Sequence, residues 1–148
     1  MKDIASGFHD MDRRRNDMAK VKAKPYPPSR LELMASKTAI LLKARTYTDM
    51  GMPETARPMW TAAASCEERI APLLDAVGRN LEAAASRISA GSCYQKGGDL
   101  SRAANLYQAA LAAPLRPNTR RDVEAMLAGC LETLSRTALN GSSRRGGR

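Results

Sequence analysis

A chain of 148 residues with a hydrophobic fraction of 43% is long enough for one domain with a modest core and too short for two of ordinary size. One Phe, one Trp and four Tyr supply all the aromatic bulk, while Val and Ile are scarce and Ala, Leu and Met abundant, which excludes a strand-rich fold and suits closely packed helices. The net charge of +9 lies mostly at the ends: residues 1–30 hold eight Lys or Arg against four Asp, residues 140–148 hold three Arg and no acid, and about +2 is left for the middle.

In chain order, residues 1–28 form a basic, proline-rich leader. They mix charges and methionines without a sustained apolar stripe, and both a short helix over Met11 to Val21 and disorder fit them. Lys24-Pro25-Tyr26-Pro27-Pro28 then stops any helix, because proline lacks the amide proton and keeps its predecessor out of the α region. Ser29 and Glu32 have the spacing of a capping box, so a first helix is expected from about Arg30 to Met50. Gly51 ends it, and Pro53 fits the first position of a second helix. That helix carries Ala56, Met59, Trp60, Ala63, Ile70, Leu73, Leu74 and Val77 on one stripe, with a bend or break expected at Pro72. A third helix is expected over Leu81 to Lys96, stopped by Gly97-Gly98. Asp99 is placed to cap a fourth over Leu100 to Ala113. After Pro114 and Pro117, Asn118 or Thr119 can cap a fifth, in which Val123, Met126, Leu127, Cys130, Leu131, Leu134 and Ala138 fall on one face. Arg120 and Arg121 stand at the wrong end of this helix for its dipole. The helical domain is thus expected over 29–139, and the Gly-, Ser- and Arg-rich residues 140–148 are expected to be disordered.

The chain repeats itself. A shift of 47 residues lays Ala44 on Gly91, Tyr47 on Tyr94, Gly51 on Gly98, Ala56 on Ala103, Trp60 on Tyr107 and Ala63 on Ala110. All four aromatic residues of the helical region fall on matched positions. Two helices approach closely only where a small residue faces a large one, so the alanines read as holes and the tyrosines as knobs.

With Gly91-Ser92-Cys93-Tyr94, Gly98-Asp99, Ala103-Ala104-Asn105-Leu106-Tyr107, Ala110-Leu111 and Pro114, the second copy resembles the tetratricopeptide repeat (TPR) family. Ala44, Tyr47, Gly51, Ala56, Trp60 and Ala63 form the first copy. The resemblance implies an all-α fold in which antiparallel helical hairpins stack as a TPR-like right-handed array of about five helices, flanked by flexible basic tails. The family period is about 34 residues, so the longer spacing here leaves a regular superhelical groove and a compact five-helix bundle both open. The resemblance also implies that the first helix of each hairpin lines the inner, partner-binding surface. Here that surface corresponds to Leu41, Arg45, Thr48 and Asp49 in one copy and Ile88, Ser92, Gln95 and Lys96 in the other. Arg45 and Lys96 are suited to an acidic peptide or a terminal carboxylate.

Groups for catalysis are sparse. The only histidine, His9, lies in the leader, so no histidine-based triad or metal site is expected in the core. Cys66, Cys93 and Cys130 fall among small or apolar neighbours and read as core thiols of a reducing compartment. Glu67 and Glu68 are adjacent and diverge on a helix, and Gly97-Gly98-Asp99 lacks the spacing of a phosphate loop. There is no signal-like leader and no long apolar run. The expectation is a cytoplasmic, non-enzymatic adaptor or scaffold without cofactor, metal or membrane. It would bind a protein or peptide through Arg45, Thr48, Asp49, Ser92, Gln95 and Lys96 as part of a larger assembly, with homo-oligomerisation left open. The alternative is a nucleic-acid-associated accessory protein. It would lay Arg13, Arg14, Arg15, Lys20, Lys22, Lys24, Arg144, Arg145 and Arg148 along phosphates, with affinity falling steeply with salt.

Overall fold

The computed structural model describes residues 28–145, and within them the chain is all α-helical. Five helices follow one another: α1 (Pro28–Asp49), α2 (Pro53–Ala76), α3 (Asn80–Lys96), α4 (Leu100–Leu111) and α5 (Pro117–Arg145). Each packs against the next in sequence, as adjacent pairs: α1 on α2, α2 on α3, α3 on α4, α4 on α5.

The first three corners are built alike. Gly51, Gly78 and Gly98 have φ of +72°, +78° and +88°, a left-handed conformation that a side chain makes costly. At each, the glycine amide bonds the carbonyl three residues back, and the next amide bonds the carbonyl five back: Met52 to Tyr47, Arg79 to Leu74 and Asp99 to Tyr94, each at 2.9 Å. This is the Schellman arrangement, which satisfies the last carbonyls of one helix and starts the next within two residues. Five residues past each glycine stands a buried alanine, Ala56, Ala83 or Ala103, with 1%, 0% and 0% exposure. Four before each stands a large residue, Tyr47, Leu74 or Tyr94. The small-against-large rule of the repeat therefore operates at three corners, and α2 serves as second rod of one hairpin and first rod of the next.

Most of the core joins Ala44, Trp60, Ala63, Ala90, Cys93, Tyr94, Ala103, Tyr107, Val123 and Cys130. A smaller cluster of Ile70, Ala71, Leu74 and Ala83, with Leu33 and Met34 against it, lies at the α2–α3 corner. Between the elements, Lys37 Nζ bonds the buried Glu67 carboxylate at 2.5 Å. Tyr94 donates to Glu68 Oε2 at 2.6 Å and receives Arg102 across its ring, 5.5 Å from the centroid.

Several boundaries differ from the sequence expectation. Helix α1 begins at Pro28, so Ser29 lies inside its first turn instead of capping it. Proline supplies a preset φ and needs no amide partner there, and Pro117 likewise takes the first position of α5 ahead of Asn118 and Thr119. No break occurs at Pro72: α2 runs through both Pro58 and Pro72. Both prolines are exposed, and the buried Ile70, Ala71 and Leu74 hold the rod on either side of the lost bond. Asp99 does cap α4, accepting the Arg102 amide at 3.1 Å. Arg120 has a structural role: its guanidinium donates to the Leu111 and Ala113 carbonyls at 3.1 and 2.9 Å, so a cation at the wrong end of α5 caps the right end of α4. Helix α5 continues past 139 to Arg145, because adding residues to an existing helix costs little even at Gly141.

Candidate functional site

The first corner sets up the site. The Gly51 turn brings the last turn of α1 against the first turns of α2, and the end of α3 closes the side. Trp60, on α2, is 7% exposed and fixed at its polar edge: its Nε1–H donates to Thr48 Oγ1 at 3.3 Å, and Thr48 in turn donates to the Ala44 carbonyl at 2.8 Å. Lys96 Nζ stands 4.5 Å from the Trp60 ring centroid, close enough for a cation–π contact.

These groups border an open cleft of about 510 Å³, whose floor is Ala56 and Trp60 and whose rim carries Arg45, Arg57, Lys96, Asp49, Thr48 and Pro53. Three cations thus face one carboxylate. Arg57 reaches Glu54 at 3.5 Å on the exposed face of α2, whereas among the described residues neither Arg45 nor Lys96 forms an ion pair. An apolar floor with unneutralised donors at its edge suits a ligand segment that carries negative charge on a partly apolar backbone.

No family model matches the chain, and no curated protein or solved structure matches it either.

Of the six residues singled out from sequence for partner contact, Arg45, Thr48, Asp49 and Lys96 come together around this cleft. The other two do not join them. Gln95 Oε1 accepts the Tyr107 hydroxyl at 2.9 Å, and Ser92 is half-buried one turn earlier on α3. The Gln95 bond is the repeat counterpart of Thr48 with Trp60, since both pairs are twelve residues apart and related by the 47-residue shift. The same shift puts Ser92 where Arg45 stands and Ala104 where Arg57 stands, so the second copy lacks the two arginines of this rim. Four lining residues, Pro53, Ala56, Arg57 and Trp60, come from α2, which was read from sequence only as the packing rod. Arg57 lies three residues before Trp60, an offset that places it beside the ring on the same side of the helix.

The cysteines are all buried and free. Burial pushes the Cys93 thiol up, with nearby Lys96 pulling partly back, and burial likewise raises Cys130. Thiols held neutral in this way are poor nucleophiles. Burial also pushes the Tyr107 hydroxyl up to about 12. Among the described residues no three His, Cys, Asp or Glu come together as a metal-binding group, and no helix is long and apolar enough to cross a membrane. His9, Arg13, Arg14, Arg15, Lys20, Lys22, Lys24 and Arg148 lie outside the described residues, as do the side chains of Arg144 and Arg145.

Proposed function

We propose that the chain is a TPR-like interaction module, its hairpins stacked as a right-handed array, that captures an acidic segment of a partner protein in the cleft between α1, α2 and the end of α3. The observation that carries this reading is the pair of cations, Arg45 and Lys96, which among the described residues have no acidic partner, at the rim of a cleft floored by Trp60. The three like-built corners and the neighbour-on-neighbour packing support the array. Thr48, whose hydroxyl proton goes to the Ala44 carbonyl, and the Asp49 carboxylate add acceptors that favour an amide-bearing ligand over a bare anion. Such a module holds its partner by shape and charge and performs no chemistry.

The test is calorimetric titration of the full chain with short synthetic peptides in acidic, neutral and basic versions. Arg45→Glu with Lys96→Glu serves as the comparison, both positions being exposed and outside the core. Binding of the acidic peptides is expected. Because a hydrogen bond to a charged group is worth about 1.5–3 kcal/mol, the double variant should bind them at least about tenfold more weakly. Equal affinity for all three peptide classes, or an unchanged affinity in the double variant, removes the cleft as the binding site.

A further inference from the structure

The chain leaves α3 through two glycines that lack side chains for different reasons. Gly98 has φ of +88°, where a side chain is costly. Gly97 has φ of −78° and ψ of −6°, which any residue adopts. Its need for glycine comes from space. A Cβ at Gly97 would collide with Thr61 Oγ1 and stand 3.3 Å from both the Arg57 carbonyl oxygen and the Thr61 nitrogen. The end of α3 thus lies directly on the α2 backbone, over the same turn that carries Trp60.

Lys96 is one peptide bond from this contact. Its ammonium stands 4.5 Å from the Trp60 ring centroid, and it lines the cleft together with Arg57 from α2 and Arg45 from α1. The height of α3 above α2 therefore decides how close this cation stands to the ring. The 47-residue shift lays Gly97 on Met50 and Lys96 on Asp49, so neither the glycine nor the cation belongs to the repeated pattern.

We infer that Gly97 is a positioning residue that sets the charge selectivity of the cleft: its bare Cα lets α3 settle on α2 at Arg57 and Thr61, and so holds Lys96 over Trp60 at the rim it shares with Arg45. The inference rests on the reading of the cleft as the site for an acidic segment. With the ammonium in place, the chain's own cation occupies the ring face. An arriving carboxylate meets that cation, while a cationic segment is kept from an aromatic surface that would otherwise attract it. A side chain at 97 raises the last turn of α3, because the α2 backbone lies directly beneath and threonine is stiff at χ1 in a helix. Lys96 is then carried off the ring.

Three variants of the full chain test this: Gly97→Ala, Thr61→Ala, and the two together, the last removing the hydroxyl that the new methyl group meets. The first readout needs no ligand. Protons held over an aromatic ring resonate upfield of their ordinary position, and NMR of the wild type should show that shift at the Lys96 methylenes next to the ammonium. Gly97→Ala should lose most of it, Thr61→Ala should keep it, and the double variant should recover it. The second readout is calorimetric affinity for a short acidic peptide. Gly97→Ala should bind about tenfold more weakly, as for the loss of one hydrogen bond to a charged group, and the double variant should regain most of the loss. An unshifted Lys96 in the wild type, a shift retained in Gly97→Ala, or no recovery in the double variant overturns the proposal. So does a shift that is lost and recovered while affinity stays constant, since Lys96 is then positioned without setting selectivity. A wild type that binds no acidic peptide removes the reading of the cleft and the selectivity with it, whereas undiminished binding by Gly97→Ala removes the role of Gly97 alone.

Discussion

Gly91 lies in the interior of α3 and faces the ring of Tyr107 across the contact with α4. A Cβ added there would stand 2.6 Å from Tyr107 Cε1, 2.9 Å from Cδ1 and 3.0 Å from Cζ. The ring is fully buried and its hydroxyl is bonded to Gln95, so it cannot swing aside without giving up that bond. Gly91→Ala therefore carries two opposed effects. Alanine is favoured over glycine in a helix interior by about 1 kcal/mol, while forcing a methyl group into a filled contact costs about 1–3 kcal/mol. Gly129, in α5, separates them, because a Cβ there meets nothing within 4 Å and only the favourable effect remains. Urea denaturation should find Gly129→Ala more stable than the wild type by up to about 1 kcal/mol. Gly91→Ala should fall below Gly129→Ala by about 1–3 kcal/mol, the steric part alone. If Gly91→Ala is as stable as Gly129→Ala, the close approach of α3 and α4 at this point is wrong, and the small-against-large reading of the repeat fails with it.

Lys37→Ala strands the buried Glu67 carboxylate and should destabilise by about 2–4 kcal/mol, whereas Lys37→Met with Glu67→Leu should stay near wild type in the same urea assay. Stability should fall as pH rises from 10 toward 12. The Tyr107 hydroxyl keeps its proton in the folded chain up to about 12 while the unfolded chain releases it near 10, so its contribution is complete below 10 and is lost above. Tyr107→Phe should flatten that part of the pH profile. A thiol reagent at pH 8 should label none of the three cysteines rapidly in the native chain and all three in denaturant, since each is buried and burial raises Cys93 and Cys130. Arg120→Ala should lower stability by about 0.5–2 kcal/mol by uncapping α4, although it stands in α5.

The helical hairpins were legible in the sequence because their signals are local. Glycine at a left-handed corner, an alanine five residues on and a bulky residue four back each follow from backbone sterics or close packing, and the chain writes them three times. The 47-residue shift pairs the Gly51 and Gly98 corners, while the Gly78 corner shows only as a turn and small-residue site over Gly78-Arg79-Asn80-Leu81-Glu82-Ala83, with Leu74 in place of a tyrosine. Helix starts were less legible. Ser29 competed with Pro28, and Asn118 with Pro117, and preset proline geometry won over a side-chain cap both times. Arg120 could not have been placed from sequence, because its partners are carbonyls of another helix. Half of the cleft was visible for a similar reason: Arg45, Thr48, Asp49 and Lys96 lie on rods that the resemblance marks as inward-facing. The α2 contribution depends on how steeply the first corner folds, which no local pattern records. The loss of Gln95 to Tyr107 is itself a repeat feature, hidden because Thr48 and Gln95 share no obvious chemistry beyond accepting a hydrogen bond.

Trp60 is the chain's single tryptophan and forms the floor of the cleft, so its fluorescence reports occupancy directly. Titration of the full chain with a short acidic peptide at low salt should change that emission saturably. Added salt should weaken the change, and Arg45→Glu with Lys96→Glu should abolish it. An emission that stays constant through the titration, or that responds equally to a basic peptide, contradicts a charge-selective cleft at the first corner.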